Sequence, residues 1–279
     1  MNRIDERFDQ LRASGRTALI PYITAGHPVP EATVNVMHAA VAAGADLLEL
    51  GIPFSDVMAD GPVIQNACLR ALEQGTDLDR VLAMTEQFRA ADAETPVILM
   101  GYMNPLERRG MDRFAARASA AGVDGLLIVD CPFDEAAETR QCLEQAGLHQ
   151  IFLVAPTTTP DRLERMRGMV GGFIYYVSLK GVTGAAGVDL DQLAPAIGRI
   201  RAMSELPVAV GFGISTPEQA ARVAAVADGV VIGSALVREL DGAGTADQAA
   251  ARAKAFLVPV RAAVDNATTA GKDERMANA

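Results

Sequence analysis

Glu49 stands between Leu48 and Leu50 in the run LELGIPFSDVMADGPVIQ, residues 48–65. An ionised carboxylate in such a run is costly to desolvate unless it is paired. Two chemistries fit. A buried Arg or Lys could meet it, but no Lys or Arg lies between Gly26 and Gln65, so that partner must come from a distant element. Alternatively, apolar surroundings raise the carboxyl's pKa and let it give and take protons near neutrality. Asp56 and Asp60 follow on the same Pro- and Gly-bearing loop. Each is open to a bland reading, a loop cap for Asp56 and a turn or N-cap before a helix from Pro62 for Asp60.

Other groups recur where apolar runs end. Tyr102 closes PVILMGY with Asn104 just beyond it, Asp130 closes GLLIVD, and Tyr175 lies within FIYYVS. Asp130, before Cys131 and Pro132, is equally a cap or a functional carboxylate. Three glycine-bearing turns suggest an anion: GVTGAAG (181–187), GFGIS (211–215) and GSA (233–235). Glycine lets backbone N–H groups come close to an anion, and a helix N-terminus adds a favourable dipole. Any one of these turns is equally a tight turn without a ligand; the three together point to a phosphate. No metal is expected, since His27, His38 and His149 are scattered and form no ligand spacing with carboxylates. Lys180, two residues past Ser178, keeps a Schiff-base mechanism open.

The elements that must position these groups repeat. AAGADLLELG, AAGVDGLLIVD, QAGLHQIFLVA and AVADGVVIGS each end an Ala-rich helix, turn, and enter a short apolar strand. ALIPYIT, PVILMGY, FIYYVS and PVAVGFG supply four more strands. Helical patterns separate the runs, as where Val34, Met37 and Val41 share a face. Strands apolar on both faces and alternating with helices predict a parallel sheet, and eight units predict an α/β fold of the (β/α)8 TIM barrel type. A doubly wound sheet would normally carry G-x-G-x-x-G after the first strand, where this chain has TAGHP. The active site of such a barrel lies at the C-terminal ends of its strands, with phosphate after strands seven and eight. Residues 1–15 predict an extra amphipathic helix, with Ile4, Phe8 and Leu11 covering the N-terminal end. One domain over 1–265 and a frayed tail over 266–279 complete the expected organisation.

At 279 residues and a net charge of −10, the chain is a poor partner for nucleic acid or an anionic membrane. Its charged start lacks the apolar core of a signal peptide, and no apolar stretch reaches the length of about 18 residues that spans a bilayer. Cys68, Cys131 and Cys142 lack metal or redox spacing and read as reduced, mostly buried thiols. A cytoplasmic protein is expected.

With these residues in view, the chain resembles the tryptophan synthase α chain family. The 48–65 run is the most specific likeness; PYITAGHP, GYMNP, VSLKGVTG, VGFGIS and GVVIGSA follow in order and spacing, from the N-terminal helix to about Leu257. The resemblance implies a (β/α)8 fold and cleavage of indole-3-glycerol phosphate to indole and glyceraldehyde 3-phosphate. It implies no cofactor in this chain, and a β-chain partner carrying pyridoxal phosphate in an α2β2 complex. It makes Glu49 the general acid and base, and Asp60 the group that holds the indole N–H. It gives Tyr175 and Thr183 an ordering role, and the phosphate to Gly184, Gly213, Gly233 and Ser234. It lines the indole pocket with Tyr22, Met100, Leu127 and Phe212, with Tyr102 beside them. Asp56, Asn104 and Asp130 fall to loops that couple to the partner.

Val57 and Met58 stand where family members usually carry Pro and Leu, and His27 where an acidic residue is common. Without the fixed φ of Pro, loop two is expected to be more mobile. Loops two and six are long enough to act as lids. Two rival readings remain: a stand-alone lyase that needs no β chain, and a catalytically silent barrel that only binds one.

Overall fold

The computed structural model describes residues 1–166, 171–177, 192–211 and 213–277. Within them eight parallel strands close into a barrel in chain order. The strands are β1 (Ala18–Thr24), β2 (Leu48–Gly51), β3 (Val97–Gly101), β4 (Gly125–Ile128), β5 (His149–Val154), β6 (Ile174–Val177), β7 (Val208–Gly211) and β8 (Gly229–Ile232). The surrounding helices begin with α1 (Arg3–Ser14), α2 (Ala32–Ala42), α3 (Pro62–Glu73), α4 (Leu78–Arg89), α5 (Met103–Glu107) and α6 (Met111–Ala120). They continue with α7 (Ala137–Gln145), α8 (Pro160–Met166), α9 (Leu193–Arg201), α10 (Pro217–Ala224), α11 (Ser234–Leu240) and α12 (Ala246–Ala277). The predicted (β/α)8 barrel is the observed fold.

Alternation along each strand sorts its side chains. Leu19, Ile23, Leu48, Leu50, Leu99 and Val210 pack outward in the cluster shared with the helices. Ile20, Tyr22, Ile98, Met100, Leu127, Tyr175 and Val231 fill the interior. Both faces are dry, which is why the strands read as unbroken apolar runs. Register places Glu49 in the interior set, opposite Tyr22 on β1 and Ile98 on β3. Ile4, Phe8 and Leu11 of α1 join the interior cluster, with the Phe8 ring 5.5 Å from that of Phe173. The extra helix therefore plugs the N-terminal end, as its pattern predicts.

The recurring helix-to-strand turn has a second use. Asp46, Asp124 and Asp228 each accept a backbone N–H from the start of the preceding odd-numbered strand: Leu19 at 2.9 Å, Val97 at 2.8 Å and Val208 at 2.9 Å. Arginines complete the clamps, Arg261 on Asp46, Arg3 and Arg89 on Asp124, and Arg201 on Asp228. Gly44 and Gly122, both at positive φ, also make room: a Cβ there would lie 2.7 Å from the stems of Arg261 and Arg89 respectively. These clamps lie at the barrel's N-terminal end and fix the strand starts.

The segment from 266, expected to fray, falls within α12, whose bounds are Ala246–Ala277. Val260 and Val264 are buried, Arg261 pairs with Asp265, and the Thr268 hydroxyl lies 3.2 Å from that of Thr17. These contacts dock the helix up to Thr268. No helix among the described residues is long and apolar enough to cross a membrane.

Candidate active site

Glu49 lies on β2 with 0% of its surface exposed. Among the described residues, neither carboxyl oxygen has a hydrogen-bond partner, and no arginine or lysine forms an ion pair with it. Burial alone pushes its pKa up to about 8. The buried-ion-pair reading thus finds no partner here, and what remains is a neutral carboxyl able to titrate near physiological pH.

Two tyrosines flank it. Tyr22 and Tyr175 reach beyond the Glu49 layer toward the strand ends, where glycines make room for their hydroxyls. A Cβ at Gly51 would sit 2.1 Å from the Tyr22 hydroxyl, and one at Gly211 would sit 2.1 Å from that of Tyr175. Thr24 donates to the Tyr22 hydroxyl at 3.3 Å. Burial raises both phenols' pKa values, and the charges of Glu49 and Asp60 add to the effect on each. Both tyrosines and both carboxylates therefore share one electrostatic neighbourhood. Met100 and Leu127 are buried in the same interior cluster.

Asp60 arrives from the loop after β2. The Tyr102 hydroxyl donates to its Oδ2 at 2.8 Å and accepts the Ala59 N–H at 3.2 Å. Burial raises the Asp60 pKa, and the bond from Tyr102 opposes that rise. Glu49 has no such opposition, so the two carboxyls differ in what favours their charge. Val57, expected to loosen this loop, is 6% exposed and packs into the interior cluster, so its side chain restrains the loop where a proline ring would. Met58 is 79% exposed at the rim.

The remaining candidates divide. Gly213 takes a positive φ of 78° just past β7, and Gly233 caps α11 with Ser234 as that helix's first residue. Both turns sit at the strand ends where phosphate is expected. Asp130 accepts the Met103 N–H at 2.7 Å and so caps α5, which carries Asn104. Asp56 is exposed, with the Ser55 hydroxyl 3.4 Å from its carboxylate, and is not brought to Glu49. Gly184, Thr183, Phe212 and Lys180 lie outside the described residues. His27, buried near Val237 and the Arg70–Asp241 pair, has its pKa lowered chiefly by burial. No group of three metal-ligating side chains occurs among the described residues. Two crevices of about 300 and 520 Å3 open on the N-terminal face around Phe8 and Pro207, and they touch neither carboxylate.

Sequence reasoning assigned no role to Gly51, Thr24 or Gln65, and read Gly211 only as part of the GFGIS anion turn. The signal for Gln65 was present, since it closes the run that opens with Leu48. The glycines show no such signal, because only the three-dimensional neighbour reveals why a side chain is excluded.

The family profile described as tryptophan synthase alpha chain matches residues 8–266. The tryptophan synthase alpha chain of Laribacter hongkongensis (strain HLHK9) is 55% identical over 265 residues, covering 95% of this chain and 100% of that one. The namesake from Nitrosococcus oceani is 57% identical over 241 residues, covering 86% and 89%. The crystal structure of tryptophan synthase subunit alpha from Legionella pneumophila str. Paris superposes with a TM-score of 0.88 at 47% identity, over 95% of this chain and 99% of that one. An aminoacrylate-bound form of tryptophan synthase from M. tuberculosis gives 0.83 at 37% identity, over 95% and 100%.

Proposed function

The chain belongs to the tryptophan synthase alpha chain family, and on that premise we propose that Glu49 and Asp60 divide the proton transfer and the charge stabilisation of its reaction. The chain is a carbon–carbon lyase of tryptophan biosynthesis, the α subunit that cleaves indole-3-glycerol phosphate to indole and glyceraldehyde 3-phosphate. In the proposed mechanism the neutral Glu49 carboxyl gives its proton to indole C3. Aromaticity is lost, positive charge falls on the indole nitrogen, and the Asp60 carboxylate accepts the N–H and stabilises that charge. The Glu49 carboxylate then takes the proton of the adjacent side-chain hydroxyl. The C3–C3′ bond breaks, its electron pair restores the indole, and the former carbinol leaves as the aldehyde. Glu49 ends protonated, as it began.

The indole ring is assigned to Tyr22, Met100, Tyr102, Leu127, Tyr175 and Phe212, with Thr183 ordering the site. The phosphate is assigned to backbone at Gly184, Gly213 and Gly233 with Ser234. The observation that carries the reading is Glu49 itself, wholly buried, unpaired and pushed up to about 8, while Asp60 has a donor that favours its ionised form. A division into one protonatable and one ionised carboxyl is what the chemistry requires.

Family membership implies a β-chain partner, and the family's α chain binds no pyridoxal phosphate itself. We assign this chain to a cytoplasmic α2β2 assembly in which the β chain holds that cofactor and receives the indole. Asp56, Asn104 and Asp130, on the loops at the strand ends, are the residues we assign to coupling with it. The intact carboxylates favour an active subunit over a silent, partner-binding barrel. Glu49→Gln keeps the shape and removes the titrating group. It should cut indole release by at least about 10²-fold while substrate still binds. Near-wild-type kcat in that variant overturns the assignment.

A further inference from the structure

Loop two is held by the helix that follows it. The Gln65 side-chain amide nitrogen, in the first turns of α3, donates to the carbonyls of Asp60 at 2.8 Å and Val57 at 3.3 Å. Two carbonyls can be met only by the donor end of an amide, which fixes the orientation of the Gln65 head. Three residues on, and so on the same face of α3, Cys68 is buried in the interior cluster that also takes in Val57 of the loop. From the other side, Tyr102 of the β3 end holds Ala59 and the Asp60 carboxylate. The loop's middle and end are therefore tied to one side chain of α3, while its working carboxylate is tied to a different element.

We propose that Gln65 is a positioning residue for the lyase reaction, setting the backbone of Asp60 so that its carboxylate meets the indole nitrogen. The inference rests on the role given to Asp60 above. A carboxylate that must oppose charge at one ring atom loses most of its value if its main chain drifts by an ångström. Tyr102 alone leaves that drift possible, because a single hydroxyl can follow a moving carboxylate. The two carbonyl bonds from Gln65 remove it, since they grip the peptide groups before and after the turn at 58–59.

The test is a double-mutant cycle on the full chain, measured alone and with saturating β chain. Gln65→Met keeps length and volume without donors, and it should lower kcat for indole release about 10-fold with little change in KM. Its loosened loop admits water to Asp60, so the acid limb of the kcat–pH profile moves to lower pH. Gln65→Glu turns an acceptor toward both carbonyls and should lose at least as much. In an Asp60→Asn background, Gln65→Met should change kcat by less than about twofold, because the group it positions is already gone. An equal fold-loss in both backgrounds, or a Gln65→Glu enzyme as active as wild type, overturns the inference and leaves the assignment of Asp60 intact. Wild-type kcat in Asp60→Asn alone is a different result, and it removes the role of Asp60 along with that of Gln65.

Discussion

In its proposed role as acid and base, Glu49 trades stability for chemistry, with a sign that follows from its pKa. Its pKa rises from 4.5 to about 8 on folding, so the folded state favours the protonated form. The resulting stabilisation is fully present below the unfolded pKa and is lost as pH rises through the folded one. Between those limits the ionised reference state gains up to about 4–5 kcal/mol over the folded chain, at roughly 1.4 kcal/mol per pKa unit. Glu49→Gln should therefore stabilise the protein by a few kcal/mol at pH 8–9 and by almost nothing near pH 4. Denaturant melts at both pH values check this; an equal effect at the two would mean that Glu49 does not titrate in the fold. Tyr102 gives a second prediction at this scale. Its hydroxyl opposes the raised pKa of Asp60, so Tyr102→Phe should move the acid limb of the kcat–pH profile to higher pH and lower kcat about 10-fold. A limb that stays in place would show that the bond does not control the charge of Asp60.

At the scale of elements, the two ends of the barrel do different work. The Asp46–Arg261 clamp is far from Glu49 along β2 and almost dry, its side chains 5% and 8% exposed. Asp46→Asn removes one of the two carboxylates on the buried guanidinium, leaving Asp265, and should cost about 1–3 kcal/mol. Below the melting transition kcat should stay within about twofold, since conserving structure at the N-terminal face serves stability. A large fall in kcat without a fall in Tm would contradict that separation. These clamps also show what the sequence made legible. The AAGAD and AAGVD repeats marked helix ends and strand starts, because a turn glycine and a dry strand leave strong local signatures. The arginines from α12 and α4 that close the clamps lie far away in sequence, so their pairing had no local signature. The active site divides the same way. Glu49 was legible as a lone charge in an apolar strand, whereas the Tyr22–Gly51 and Tyr175–Gly211 fits depend on register between strands. For loop two, the φ freedom at Val57 was legible, whereas the burial of its side chain depends on contacts with no local signature.

For the whole molecule, the question is how a partner changes a site whose carboxylates are already in place. A β chain can raise activity only by binding the competent state better than the alternatives. Loop two is tied by Gln65, Tyr102 and the buried Val57, so little of the competent population is lost there. Val57→Pro should then alter basal activity and stimulation by less than about twofold. Met58 is the exception in this loop, a large apolar side chain 79% exposed at the rim beside a tethered segment. An exposed apolar group on a preformed loop gains by burial against a partner without a large ordering cost. Weak activity of the isolated chain and strong stimulation by a tryptophan synthase β chain are still expected, the state that the β chain selects then differing at elements other than loop two. Met58→Glu should raise the β-chain concentration for half-maximal stimulation about 10-fold and leave basal kcat unchanged. The measurement is steady-state indole production across a β-chain titration for wild type, Val57→Pro and Met58→Glu. Full activity without β chain would favour the stand-alone lyase. An unshifted titration for Met58→Glu would move the contact surface away from loop two, and a large response to Val57→Pro would show that the tethers do not hold the loop in solution.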